Sequence, residues 1–494
     1  MIPLTLAEVA DAVGGAVHGC DGAQVVSGSV EFDSRRVGPG GLFVAIPGER
    51  VDGHDFAAAA MAAGAVGVLA GRPVAAPAVI ALRPDRGSRS TAYALAADAD
   101  GVGAAVLAAL AALARLVVHT LSHTGLRVVG LTGSSGKTST KDMVAALLAP
   151  LGATVAPPGS FNNEIGHPWT ALRSDAGTRH LVLELSARGP GQISALCQVA
   201  PPSIGVVLNV GSAHLGEFGS RDAVATAKGE LVEALPSAGV AVLNADDPAV
   251  AAMDRRTAAR VVRFGRSRAA QIRATDVALN SRGWPSFRLL TPAGEAPVQL
   301  AVPGEHQVSN ALAAAAVALE LGATPAGVAS VLAHYRPVSR WRMEVTDRPD
   351  GVTVVNDAYN ANPESVAAAL RTLVMMAGTE RRSWAVLGPL AELGAATAQE
   401  HREIGALAAR LGVDRVVAVG EQTRPMHLLV RHSVLVPDVR TALELLHSEL
   451  APGDVVLIKA SRAAGLERIA EGLLGAPDSA APGPPAGHDR RSPT

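Results

Sequence analysis

One short stretch limits the folds open to this chain more than any other: Gly130 to Thr140, which reads Gly-Leu-Thr-Gly-Ser-Ser-Gly-Lys-Thr-Ser-Thr. An apolar run, Leu126 to Leu131, precedes it and a helix-forming run, Lys141 to Leu148, follows. Strand, glycine turn and helix in that order make a phosphate cradle, and such a unit belongs in a parallel sheet covered by helices. Glycines let backbone N–H groups turn inward, and the helix start adds a partial positive charge. Gly133, Ser134, Ser135, Gly136, Lys137, Thr138 and Ser139 are therefore the expected phosphate-binding residues. Lys137 is placed to reach the outer phosphates, and Thr138 to ligate a Mg²⁺ that bridges them. The usual loop opens on a Gly where this chain has Leu131, so Gly133 is expected to supply the bend.

Composition sets the outer bounds. A chain of 494 residues holds about three domains of ordinary size. A formal charge of -2 and 3% aromatic residues leave neither the basic face nor the stacking platforms of a nucleic-acid binder. The two cysteines, Cys20 and Cys197, cannot build a disulfide framework, which points to a reducing compartment, the cytoplasm. The start of the chain has neither the basic end nor the apolar run of a signal peptide. Gly101 to Ser122 is long enough to cross a bilayer and carries Arg115 as its only fixed charge. Its Leu and Val residues recur every three or four positions against an Ala face, however, which predicts a close-packed helix and no membrane span.

In chain order, residues 1–97 read as a small α/β unit with strands at Leu42 to Ile46, Gly67 to Ala70 and Ala78 to Leu82. The polar stretch Asp33-Ser34-Arg35 is a candidate binding loop, Ser34 and Arg35 offering charge-assisted hydrogen bonds to a diphosphate or a sugar; a solvated turn explains its composition equally well. Residues 98–335 continue the alternation from the phosphate loop, with strands at His180 to Leu185, Ile204 to Val210 and Val240 to Leu243. Ligands gather beyond the carboxyl ends of such strands, which places Glu184 and His214 near the phosphates, Glu184 as an oxygen ligand for Mg²⁺. Lys228, within a helix from Asp222 to Leu235, reads by itself as a surface lysine. His306 and Asn310 open a further Ala-rich helix and can face a nucleotide base. Residues 336–475 form a third alternating unit, with strands at Val352 to Asn356, Ser383 to Leu387, Arg415 to Val419 and Asp454 to Lys459. Its Asn356-to-Pro363 run is dense in polar groups directly after a strand, and Arg340 and Arg342 are candidates to neutralise phosphoryl charge. Residues 476–494 are rich in Pro, Gly, Ala and Ser and are expected to be disordered.

Spread over nearly the whole ordered chain, these stretches resemble one family, the ATP-dependent Mur ligases. The phosphate loop, Ser160-Phe161-Asn162-Asn163-Glu164, Leu183-Glu184-Leu185, Asn209 to His214, Ala227-Lys228-Gly229-Glu230, Arg342-Met343-Glu344, Tyr359-Asn360-Ala361-Asn362-Pro363 and Lys459-Ala460-Ser461-Arg462 carry the resemblance in order and spacing. They are most similar to the member of the family that adds D-alanyl-D-alanine. The resemblance implies an α/β fold of three domains: an N-terminal domain that binds a uridine-diphosphate sugar, a central ATP-binding domain and a C-terminal Rossmann-like domain. It implies an enzyme of peptidoglycan precursor synthesis, a monomer, that spends ATP to join D-alanyl-D-alanine to UDP-N-acetylmuramoyl-tripeptide through an acyl phosphate.

The implied roles follow residue by residue. Lys137, Lys228, His214 and Arg342 are catalytic; Thr138, Glu184, His214 and a Lys228 carbamylated by CO₂ hold Mg²⁺; Asn310, Arg342 and Asp357 contact the nucleotide. Ser34, Arg35, Asn162, Asn163, Glu164, Tyr359 and Asn360 contact the acceptor and dipeptide. Domain closure on a hinge near residues 322–340 is expected to bring Arg342 and Asp357 to the loop. The chain departs from the family pattern at Pro389, where the family carries Asp, and at Ser186, Ala460 and Trp341, where it carries Gly. Those departures motivate one alternative, a catalytically degenerate paralogue that binds a nucleotide sugar and serves as a partner or scaffold.

Overall fold

The computed structural model describes residues 1–48, 51–82, 98, 100–212 and 215–475. The described residues form three larger sheets and a two-stranded ribbon that pairs Leu4–Thr5 with Val25–Val26. The first larger sheet runs, edge to edge, Ala16–His18, Ala78–Ile80, Ala65–Ala70, Gly41–Val44 and Val30–Glu31. Its strands are parallel except for Ala16–His18.

The central sheet has nine strands. Seven are parallel, in the order Thr154–Val155, His180–Glu184, Arg127–Thr132, Ile204–Val207, Val240–Asn244, Arg260–Gly265 and Ile272–Leu279. An antiparallel extension, Pro285–Thr291 and Gly294–Gln299, completes it. That extension was not anticipated: its strands alternate apolar and polar side chains at the sheet's edge, a weaker signal than the buried Val-rich runs of the parallel strands. The C-terminal sheet runs Glu344–Asp347, Thr353–Asn356, Val455–Lys459, Ser383–Leu387, Arg415–Val419 and Ser433–Val436, parallel except for its first strand.

Two helices connect these layers. Val102–Ser122 is apolar enough to cross a membrane by length and composition. It instead buries its Val and Leu residues against Leu6–Val13, Gly166–Ala171 and Gln192–Val199. Pro325–His334 fills most of the stretch expected to act as a hinge, and residues 335–343 then form an irregular link into the C-terminal sheet. The proposed tail, 476–494, lies outside the described residues.

Candidate functional site

The phosphate-loop strand, Arg127–Thr132, lies inside the central sheet between His180–Glu184 and Ile204–Val207, all three parallel. Their carboxyl ends deliver the loop, Glu184 and Asn209 to one edge. Gly136 is the residue in the left-handed region, φ 80°, where a side chain is strained; a Cβ there would also stand 2.5 Å from Asn310 Oδ1. The bend expected of Gly133 therefore belongs to Gly136. Gly133 is needed for a different reason, since its Cβ would approach Leu208 Cβ to 2.9 Å. Asn209 shapes the loop: its Oδ1 accepts the N–H groups of Ser134 and Ser135 at 3.0 and 2.9 Å. The helix that follows, Lys137–Leu148, has no side-chain cap. Its first amides thus remain open to an anion, as a polyphosphate requires.

Hard oxygen donors collect beside these amides. Glu184 is buried, 1% exposed. Its Oε2 accepts from Thr138 Oγ1 at 3.0 Å, and its Oε1 from Ser160 Oγ at 2.9 Å and Asn162 Nδ2 at 2.7 Å. No cluster of three His, Cys, Asp or Glu residues occurs among the described residues. Mg²⁺ takes most of its ligands from phosphate and water and needs one or two from protein, and the adjacent oxygens of Thr138 and Glu184 are of the right kind. His214 lies outside the described residues.

Two lysines complete the charge pattern. Lys137 Nζ donates to Gly133 O at 2.8 Å, and burial, reinforced by the Arg342 cation and opposed by Glu184, holds it below the ordinary lysine range. Lys228, a surface lysine when its helix is read alone, is buried at 5% exposure inside the helix Arg221–Glu233. No carboxylate pairs with it among the described residues. Burial and then the Lys137 cation pull it well below the usual range, which favours the neutral amine. Its small neighbours Ala227 and Gly229 were the only sequence signal of that burial.

The C-terminal sheet supplies the opposite wall. Arg342 Nη2 donates to Thr138 Oγ1 at 3.1 Å, and its guanidinium lies 4.1 Å from the centre of the Tyr359 ring. Trp341 and Met343, on either side, both have left-handed backbones, φ 59° and 51°. Asp357 is held between Lys459 Nζ, 2.5 Å from its Oδ2, and the Met343 N–H, 3.1 Å from its Oδ1. Lys459 also donates to Asn360 O at 2.9 Å. Asn362 caps the helix Pro363–Ala377 with its Oδ1 and donates through Nδ2 to Ser134 O at 3.2 Å. Glu364 on that helix accepts from Ser212 N–H at 2.7 Å. The C-terminal sheet is therefore closed onto the phosphate loop.

Other expected residues fall elsewhere. Arg340 does not reach the loop; it sits 3.5 Å from Glu471 and is largely exposed. The side chain of Arg35 is 87% exposed and paired with Asp33 at 2.8 Å, and Ser34 lies in the same turn. This loop touches the central part through Phe32, whose ring meets Phe161 and Trp169. Asn163 Oδ1 accepts from Gly166 N–H at 2.9 Å, a turn of the kind that opens a helix, and Glu164 lies in that turn. Pro389 accepts the Ser461 N–H through its carbonyl at 3.0 Å. Ser186 Oγ donates to Asn162 O at 3.0 Å, and Ala460 is fully buried against Gly388. The residues not singled out from sequence were Ser160, Asn209, Asn362, Glu364 and Lys459. All but Glu364, which directly follows the Asn356-to-Pro363 run, lie inside a stretch already noted, but their partners are far away along the chain.

Three family models match: the Mur ligase family catalytic domain over residues 28–115, the Mur ligase middle domain over 131–318, and the Mur ligase glutamate ligase domain over 341–462. The UDP-N-acetylmuramoyl-tripeptide–D-alanyl-D-alanine ligase of Mycobacterium tuberculosis is 54% identical, covering 96% of this chain and 98% of that protein. A crystal structure of MurF from Acinetobacter baumannii superposes with a TM-score of 0.83 at 28% identity, over 96% of this chain and 99% of that one. The MurF ligase of Thermotoga maritima, solved in complex with ADP, gives 0.75 at 29% identity, over 91% and 98%.

Proposed function

The chain belongs to the Mur ligase family, and from that membership we propose that it is the ATP-dependent ligase that joins D-alanyl-D-alanine to UDP-N-acetylmuramoyl-tripeptide in peptidoglycan precursor synthesis. The observation that carries this reading is the meeting of Glu184 and Arg342 on Thr138, at the mouth of an uncapped phosphate loop. The alternative of a catalytically degenerate partner finds no support among the relatives.

A peptide carboxylate is a poor acyl donor until its oxygen carries a phosphoryl group. The terminal phosphoryl of ATP passes to that oxygen; the amine of D-alanyl-D-alanine then attacks the acyl carbon, loses a proton, and phosphate leaves. Such chemistry asks the protein to align reactants and to neutralise charge. Lys137 and the loop amides hold the phosphates, Arg342 faces the transferred group, and Asn310 and Asp357 contact the nucleotide. A Mg²⁺ held by Thr138 and Glu184 neutralises phosphate charge when bound. Closure of the C-terminal sheet keeps water from the activated acid.

Residues 1–97 bind the uridine-diphosphate sugar through Ser34 and Arg35, residues 98–335 bind ATP, and residues 336–475 bring Tyr359 and Asn360 to the dipeptide. Asn162, Asn163 and Glu164 face the acceptor peptide. The enzyme works as a monomer in the cytoplasm, a reducing compartment in which its two cysteines stay free.

Lys228 is a carbamate in the working enzyme. A neutral buried amine adds CO₂ and loses a proton, which turns an uncharged group beside the Lys137 cation into an anion that attracts it and offers oxygen to the metal. Intact mass is the readout: a CO₂ adduct present at neutral pH and lost on acidification, absent in Lys228→Ala. The activity itself is tested by a mass-resolved assay with ATP, D-alanyl-D-alanine and the acceptor. Peptide lengthening with matched ADP release is expected; ATP consumption without lengthening overturns the reading.

A further inference from the structure

The helix of the phosphate loop carries a second pair of charges that takes no part in the chemistry above. Lys141 and Asp142 are 1% and 5% exposed, and lysine is almost never found so deep without a partner. Lys141 Nζ stands 2.5 Å from Asp142 Oδ1, donates to Pro157 O at 2.7 Å and reaches Ser339 Oγ at 3.4 Å. The other carboxylate oxygen, Asp142 Oδ2, accepts the Ser339 N–H at 3.0 Å. Three separate stretches of chain thus cross at one ion pair, and each leads into the site. Lys141 is one turn after Lys137 on the same helix. The chain continues from Pro157 to Ser160, which bonds Glu184, and from Ser339 to Arg342, which bonds Thr138.

Stability alone does not call for charges here. An ion pair in the interior contributes about as much as apolar side chains of the same volume, or less. What the charges supply is direction: a carboxylate oxygen fixes where the Ser339 N–H points, and three residues of chain reach only about 10 Å beyond it. Residues 335–343 are the irregular link into the C-terminal sheet, so a fixed Ser339 divides that link into an anchored half and a short arm that carries Arg342. Tyr335, at the start of the link, is buried at 5% exposure; its phenol is pushed up by burial and by the Asp142 carboxylate.

We propose that Lys141 and Asp142 are positioning residues: they clamp the interdomain link at Ser339 to the phosphate-loop helix, so that closure of the C-terminal sheet delivers Arg342 to Thr138 in one register. This rests on the role assigned to Arg342 above. The test is a double-mutant cycle of Asp142→Asn and Arg342→Ala in the full-length enzyme, with kcat for ligation and the Kd of a fluorescent ADP analogue measured for each. Asp142→Asn is expected to lower kcat by about 10- to 100-fold with nucleotide affinity within about twofold of the parent, because the loop amides and Lys137 are left in place. Added to Arg342→Ala it is expected to cost nothing further, since a pivot has no effect once the group it aims is gone. If Asp142→Asn fails to fold, the neutral replacement Lys141→Met/Asp142→Leu takes its place, because it removes the Ser339 acceptor and leaves no unpaired charge. Losses that multiply, or an unchanged kcat in the folded variant, overturn the pivot alone. Full activity in Arg342→Ala overturns the role of Arg342 and the pivot with it.

Discussion

The two walls of the site are built in different ways. The loop wall is local: strand, turn, lysine and threonine follow one another in sequence, and the parallel strands on either side add Glu184 and Asn209. The Arg342 wall is assembled from remote pieces. Arg342, Asp357 and Lys459 come from three parts of the chain, joined by one buried ion pair and by backbone at Trp341 and Met343 that costs energy to hold. The first wall is made by neighbours and the second by agreement between distant segments. Damage to the first should therefore appear in the chemistry, and damage to the second in stability and alignment.

The largest contrast comes from Lys137→Ala. It is expected to lower kcat/KM on the order of 10³-fold, read as ADP release that needs both acceptor and dipeptide, with little change in the melting curve. Lys459→Met should do the reverse. It leaves the Asp357 carboxylate without its partner and is expected to cost about 3 kcal/mol of stability in chemical denaturation. Comparable losses of stability in the two variants would erase the distinction between the walls.

A smaller effect sharpens the same point from the loop side. His167 is fully buried behind the loop wall, and burial pushes it down from 6.5 to about 4. Because the folded state resists the proton while the unfolded chain accepts it, the stabilisation is complete above the unfolded value and falls as pH drops toward the folded one. Between about pH 7 and pH 5 the loss should be about 2 kcal/mol, and it should shrink in His167→Gln, followed by denaturant midpoints across that range. An unchanged pH slope in the variant would remove His167 as its source.

The smallest effect concerns Trp341, in the left-handed region on the remote wall. Trp341→Gly and Trp341→Ala both lose the stacking on Arg462, but only Gly relieves the backbone. The Gly variant should be more stable than the Ala variant by about 1 kcal/mol in paired melts. Equal stability would mean that the turn is not strained.

How much of this was legible follows the same division. The loop, Glu184 and the parallel strands were read from short runs whose apolar content and glycines carry their own meaning. Ser383–Leu387 and Arg415–Val419 fall on the expected residues because strands buried on both faces read as unbroken apolar runs. Lys228 reads as a surface residue from its own helix, where only the small neighbours Ala227 and Gly229 hint at burial; its place in the site came from the family resemblance alone. Lys459 and Asn362 were seen as parts of motifs, yet their partners, Asp357 and Ser134, cannot be inferred from local pattern. Gly133 was given the bend because its spacing suited it, whereas the backbone turns at Gly136 and uses Gly133 for closeness to Leu208.

The long helix Val102–Ser122 carries one more consequence, for the time of synthesis. One of its partners, Leu6–Val13, has already left the ribosome when it emerges, but Gly166–Ala171 and Gln192–Val199 have yet to be made. For that interval a greasy rod stands half covered, in view of the machinery that sorts nascent chains to the membrane. Its many alanines, which gain little from lipid, keep it a poor client of that machinery until the rest of its cover arrives.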